Sequence, residues 1–182
     1  MRAKPRYFYE HSMRAPFIVR GPGVPAGKES HALTYLYDLH ATVLKLSQGQ
    51  SERTDKGATA SPVASQSLVP LWRGDKNVAR DALLLAFTNT MRAVRDSRWK
   101  LIVYPPINHA QLFDLLTDPH EMNDLASRHP ERVAALMKRL SDLQAASGDQ
   151  QPLRVAKPKL KEINLSGRKA NPHAAIPGGA NR

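Results

Sequence analysis

The chain has 182 residues, of which 41% are apolar and only 6% aromatic, with 14 prolines and no cysteine. That is room for one domain, or one and a half, around a modest core, and it excludes disulfides and thiolate metal sites. The formal charge of +11 raises the question of a polyanion partner. About half of that excess lies beyond Pro152, in Arg154, Lys157, Lys159, Lys161, Arg168, Lys169 and Arg182 against Glu162 alone, with no aromatic residue between them. Specific nucleic-acid binding is therefore not expected.

From the N-terminus, Arg2, Lys4 and Arg6 form a basic lead-in without the basic–apolar–small order of a signal peptide. No apolar run approaches the roughly 20 residues of a membrane helix, so no membrane partner is expected. Residues 9–23 read YEHSMRAPFIVRGPG. If extended, Glu10, Ser12 and Arg14 share one face and His11 and Met13 the other. Phe17, Ile18 and Val19, bounded by Pro16 and Gly21-Pro22-Gly23, read either as a buried core strand or as an ordinary edge strand with a charged lead-in. Residues 24–31 are a surface loop. From Thr34, Leu36, Leu39, Val43 and Leu46 recur at helical spacing and predict an amphipathic helix ending near residues 47–49. His31 and His40 flank its start on the wrong spacing for a helical metal pair. Residues 51–65 lack periodicity, and Ser67 to Leu71 dock briefly before a boundary at Asp75.

Beyond Arg80 the pattern changes to short strands. Residues 83–87, 91–95, 99–104 and 111–115 predict an antiparallel sheet, with Asp96-Ser97 as a hairpin turn and Pro105-Pro106-Ile107-Asn108 as a rigid connection. Such a sheet needs a cover on one face. Asp118 as N-cap, Pro119 at the first position and Glu121 three residues after the cap predict a short helix over 120–126. Asp118, Glu121 and Asp124 could also be read as a carboxylate cluster for metal or acid–base work, but capping accounts for the first two. Pro130 opens a second helix whose Val133, Leu136, Met137, Leu140 and Leu143 form one apolar stripe, with Glu131 early and Lys138 and Arg139 late, as the helix dipole favours. From Ala145 onward no hydrophobic period survives and a flexible tail is expected. Tyr35, Trp99 and His109 each read as pocket or packing, Trp99 more naturally as core beside Leu101.

Taken in order, several of these segments carry a resemblance. Lys4 followed by Tyr9-Glu10-x-Ser12-x-Arg14-x-Pro16 and Gly21-Pro22-Gly23 resembles the segment leading into the last part of the catalytic domain of type I sulfatases, the arylsulfatase-like esterases of the alkaline phosphatase superfamily. Asp38-Leu39 before Thr42-Val43-Leu44, and Ser67-Leu68-Val69-Pro70-Leu71, resemble the next motifs. Arg92 to Arg95, Trp99-Lys100-Leu101-Ile102, residues 111–115, and Asp118-Pro119-x-Glu121-x-Asn123-Asp124-Leu125-Ala126 resemble that family's C-terminal subdomain. The resemblance covers residues 4–146. It implies an α/β fragment: the end of a sulfatase-like catalytic domain over 1–75, a small antiparallel sheet covered by a C-terminal helix over 76–146, and a basic tail over 147–182.

The resemblance also implies chemistry. An intact parent would hydrolyse sulfate esters with a formylglycine nucleophile and calcium, and Lys4 would contact the substrate sulfate. The chain has no Cys/Ser-x-Pro/Ala-x-Arg motif and none of the family's metal-binding acids, so no catalytic residue, metal ligand or cofactor is expected in it, and it should be inactive alone. The missing N-terminal part, on the same or a separate chain, would be its partner, and a parent in the periplasm or outside the cell is compatible with the composition. Two other readings remain: a binding module whose basic tail meets polyanions, and a portion of a related phosphatase or phosphonate hydrolase.

Overall fold

The computed structural model describes residues 8–47, 61–74 and 80–158. Lys4, most of the loop expected over 51–65, the boundary at 75–76 and the tail from residue 159 lie outside the described residues. The elements run α1 (Glu10–Met13), α2 (Asp38–Ser47), α3 (Val69–Arg73), β1 (Ala82–Phe87), β2 (Met91–Asp96), β3 (Trp99–Tyr104), β4 (His109–Asp114) and α4 (Pro130–Ser147), with one 3₁₀ turn at Pro105–Ile107.

The four strands form an antiparallel meander in the order β1-β2-β3-β4. Each turn has a local cause. Asp96 Oδ1 accepts hydrogen bonds from the Arg98 and Trp99 amides at 2.8 and 2.6 Å and closes β2 onto β3, the local carboxylate–backbone bonding that suits Asp to turns. Between β3 and β4, two prolines set φ for a 3₁₀ turn and Asn108 takes the left-handed conformation (φ 49°), which Asn tolerates better than most residues.

Alternation along the strands makes two buried faces. Val94, Leu101, Val103 and Leu112 join Leu136, Leu140 and Leu143 of α4 in one core, so the α4 stripe packs as its spacing predicts. Pro130 occupies the first turn of α4, and Gly148, at φ 74°, caps its end. On the opposite face Met91, Ala93, Ile102 and Phe113 pack with Phe8. The sheet thus has two covers, α4 and the N-terminal segment, where the sequence pattern called for one.

Four expectations are corrected. Residues 10–13 form a helical turn, the Ser12 and Met13 amides donating to Tyr9 O at 2.9 and 3.1 Å, so Glu10, Ser12 and Arg14 do not line an extended face. Phe17, Ile18 and Val19 are in no strand; Phe17 is 49% and Ile18 90% exposed, because no neighbouring strand among the described residues offers its edge. No helix forms over 120–126: the chain turns instead, with Glu121 at φ 55°, and Asp118 Oδ2 accepts from the Asn123 amide at 2.8 Å. In α2 the buried residues are Asp38 and Thr42, whereas Val43, Leu44 and Leu46 face outward, as does Leu36 just ahead of the helix.

The start of the expected tail is docked. Asp149 pairs with Arg92 through Oδ2 and Oδ1, at 2.6 and 3.0 Å, and Asn108 exchanges two 2.8 Å hydrogen bonds with the backbone of Val155. Because Leu140 is fully enclosed, Leu140→Ala should cost about 2–5 kcal/mol, whereas Leu36→Ala should stay within about 0.5 kcal/mol; urea unfolding of the two variants checks the contrast.

Candidate functional site

The most unusual position in the sheet is Lys100. It lies on β3 opposite Arg95 of β2 and Phe113 of β4, in the row that also holds Ile102, and its side chain is fully buried. An ammonium taken out of water must be paired. Two carboxylates reach it: Glu10 Oε1 of α1 at 2.9 Å and Glu121 Oε1 at 2.8 Å. The first contact is a hydrogen bond. The second is an ion pair whose angle lies off the hydrogen-bond line.

Further polar groups gather around this pair, although the buried Ser12 hydroxyl of α1 has no hydrogen-bond partner among the described residues. Arg95 Nε lies 3.1 Å from Glu10 Oε1, and the Glu10 amide donates a short hydrogen bond to Glu121 Oε2. Two cations and two carboxylates therefore share one enclosure. Beside them Gln111 Oε1 accepts from the hydroxyls of both Tyr9 and Tyr104, at 3.0 and 2.9 Å, and the Tyr9 ring meets Phe113 edge-on with centroids 6.0 Å apart. Tyr9 and Glu10 are thereby seated on the C-terminal sheet.

Burial pushes the Glu10 carboxyl up, but the hydrogen bond and charge of Lys100, together with Arg95, outweigh it, and the net shift is downward. A carboxylate held ionised in this way is a poor proton acceptor at neutral pH. Glu121 is committed to the same cation. The cluster holds segments together.

A second polar hub lies under α2. Asp38 is fully buried and takes a two-pronged ion pair from Arg80, with Nη2 to Oδ1 at 2.7 Å. It also accepts from the amides of Tyr35 at 2.7 Å and Gln66 at 2.9 Å. Thr42 continues the same face: its hydroxyl donates to Asp38 O at 2.7 Å and accepts from the Leu68 amide at 2.9 Å. Tyr35 hydrogen-bonds both ways with the backbone of Leu84, which ties α2 to β1.

Other candidates read from the sequence are structural here. Asp124 accepts from the amides of Leu112 and Ala126, and among the described residues no three His, Cys, Asp or Glu side chains gather where an ion could sit. His31 and His40 are exposed. Trp99 packs at the margin of the α4 core with the guanidinium groups of Arg98 and Arg132 at 5.2 and 5.3 Å from its ring, and His109 stacks on Tyr104. The sequence reading missed the roles of Lys100 and Glu121, although strand alternation places Lys100 in an apolar row.

The stretch that carries these parts, from the Tyr-Glu segment through the meander to α4, is similar to known proteins. Residues 3–146 match the family described as N-sulphoglucosamine sulphohydrolase, C-terminal. The chain belongs to this family. Among its curated relatives, it is 26% identical over 147 residues to arylsulfatase K of Xenopus laevis, covering 74% of this chain and 26% of that protein. It is 27% identical over 176 residues to N-acetylglucosamine-6-sulfatase of Bos taurus, covering 79% and 31%. A crystal structure from Bacteroides thetaiotaomicron, assigned as a sulfatase, superposes with a TM-score of 0.64 at 28% identity, over 79% of this chain and 32% of that one. The chain thus spans between a quarter and a third of the length of these three sulfatases, and its mixed α/β architecture is that of a sulfatase C-terminal region.

Within that family member, the Lys100 cluster sets an acid limit on stability. Glu10 has its folded pKa below the ordinary 4.5, so its contribution is fully present above that value and is lost as pH falls through the folded one. Urea unfolding at pH 7 and pH 3 should show a smaller loss in Glu10→Gln than in the unaltered chain. Lys100→Met, which strands Glu121 and leaves Glu10 to Arg95 alone, should cost about 3–5 kcal/mol at pH 7. Adding Glu10→Gln and Glu121→Gln to it should recover part of that loss.

Proposed function

We propose that this chain is the C-terminal part of a sulfuric ester hydrolase, and that the intact protein cleaves sulfate esters. The observation that supports this best is the family match across residues 3–146. It coincides with the stretch in which Tyr9 and Glu10 are locked to the sheet by Lys100 and Gln111.

The residues described here do not fit the calcium ion or the formylglycine of a type I sulfatase. The sequence has no cysteine, the acidic groups nearest one another are already neutralised by Lys100 and Arg95, and no metal-holding cluster occurs among the described residues. On this reading both groups belong to polypeptide outside this chain. What this chain would supply is position: Glu10 and Tyr9 anchor the segment that follows Lys4. The role of Lys4, a cation that binds the substrate sulfate, rests on the resemblance of the motif. A fixed ammonium there would offset charge growing on the ester oxygens.

The relatives above carry the names of sulfatases, which favours sulfur over phosphorus at the centre of the ester. The test is hydrolysis of a chromogenic aryl sulfate with calcium present, by the chain alone and by the chain joined to the coding region that precedes it. Only the joined protein is expected to be active. Within it, Lys4→Ala should lower kcat/KM by about 100-fold, in the range seen when one charge-stabilising donor is removed. Activity in the isolated chain, or none in the joined protein, would overturn the proposal.

A further inference from the structure

Helix α4 has a groove beside it. A cavity of about 660 Å³ is lined by Val133, Ala134, Met137 and Ser141 of the helix and by Leu153 and Arg154 of the segment that follows it. The helix residues are spaced by one, three and four positions and so lie on neighbouring turns of one face. Val133, Met137 and Leu153 also pack against the core between α4 and the sheet, so the apolar lining is continuous with that core.

The wall opposite the helix is pinned at both ends. The buried Gln144 donates through Nε2 to Asp149 Oδ2 at 2.8 Å and to Gln151 O at 3.1 Å, and Asn108 holds the backbone of Val155. Leu153 and Arg154 sit between these anchors. The family match ends at residue 146, so this wall lies outside the matched segment.

The charges that line the groove are unequal. Lys138 Nζ is paired with Asp142 Oδ2 at 2.7 Å across one helical turn. Arg154 is exposed and forms no ion pair among the described residues. A matching occupant therefore carries apolar side chains for Val133, Met137 and Leu153 and one carboxylate for Arg154. Such a segment follows in this chain. The described residues end at Pro158, four positions past Arg154, and residues 159–165 read KLKEINL. After Pro158 the large apolar residues are Leu160, Ile163, Leu165 and Ile176, and Glu162 is the only acid after Asp149. Seven extended residues reach about 25 Å, more than the roughly 12 Å of helix between Val133 and Ser141.

We propose that residues 160–165 turn back into this groove, Leu160 and Ile163 against Val133, Met137 and Leu153, and Glu162 against Arg154. The tail then completes the outer cover of α4, and the basic residues after it, Arg168 and Lys169, leave from a fixed point beside the helix. A short tether gives such a segment an effective concentration in the millimolar range, which favours it over a second copy of the chain. Docking of this kind is independent of the activity proposed above.

The chain has no cysteine, so an introduced pair reports proximity without background. In the full chain, Asn164→Cys is combined with Ala134→Cys or with Ser141→Cys, both exposed positions of the groove wall, and disulfide closure under oxidised glutathione is followed on non-reducing gels. At least one pair should close within the chain, while the reduced variants keep the urea midpoint of the unaltered protein. Adding Leu160→Asp leaves the tether unchanged and should slow closure at least about tenfold, because a charge would enter an apolar groove. Arg154→Glu should slow closure as well, and Glu162→Arg on top of it should restore the rate. Closure as fast with Leu160→Asp as without it would reflect the tether alone and overturn the proposal. Disulfides between copies would make a second copy the occupant and overturn it too, as would failure of both pairs to close.

Discussion

A lysine inside a β-sheet must be neutralised where it sits, and Lys100 organises the described chain by that requirement. Its two carboxylates come from distant positions, Glu10 and Glu121. Meeting the demand brings both the N-terminal segment and the loop before α4 onto one face of the meander. Glu121 takes a positive φ to get there, a conformation that costs a non-glycine residue about 1–2 kcal/mol and is held because the alternative leaves a buried ammonium short of a partner. Such a cluster contributes little net stability over an apolar replacement. Its effect is register: only one placement of residues 8–13 satisfies Lys100, Arg95 and Gln111 together.

The same principle operates under α2 with the opposite consequence. Asp38 joins Tyr35, Gln66 and Arg80 through hydrogen bonds to one buried carboxylate, so a polar hub sits among the few buried apolar residues of this half, Leu33, Leu68 and Val69, while several other apolar residues are left outside. Residues 80–158 bury their aliphatic side chains against α4. Residues 8–47 and 61–74 keep Ile18, Leu36 and Val43 in the open.

That asymmetry explains which features were legible in the sequence. The meander and α4 were, because strand alternation, the Asp96 turn, the two prolines and the Pro130 start are local signals whose partners lie within a few tens of residues. The strand expected at Phe17 was legible only as composition; its apolar run is real, but the edge it would pair with is not among the described residues. The helix expected over 120–126 failed for a different reason. Its capping signals compete with the pull of Lys100 on Glu121, a contact that no local pattern reveals. Lys100 itself was visible as a lysine in an apolar row, and asking which acids neutralise it would have pointed towards Glu10 and Glu121.

The pairing that fixes the backbone also decides what the buried carboxylates can do. The acidic side chains that are buried, Asp38, Asp114 and Glu121, are each paired with a cation, Arg80, Arg98 and Lys100. Pairing of this kind fixes the backbone and withdraws the carboxylate from proton transfer or metal binding. A chain that spends its polar residues on internal fastening can hold a segment such as residues 8–13 at a fixed place on its surface.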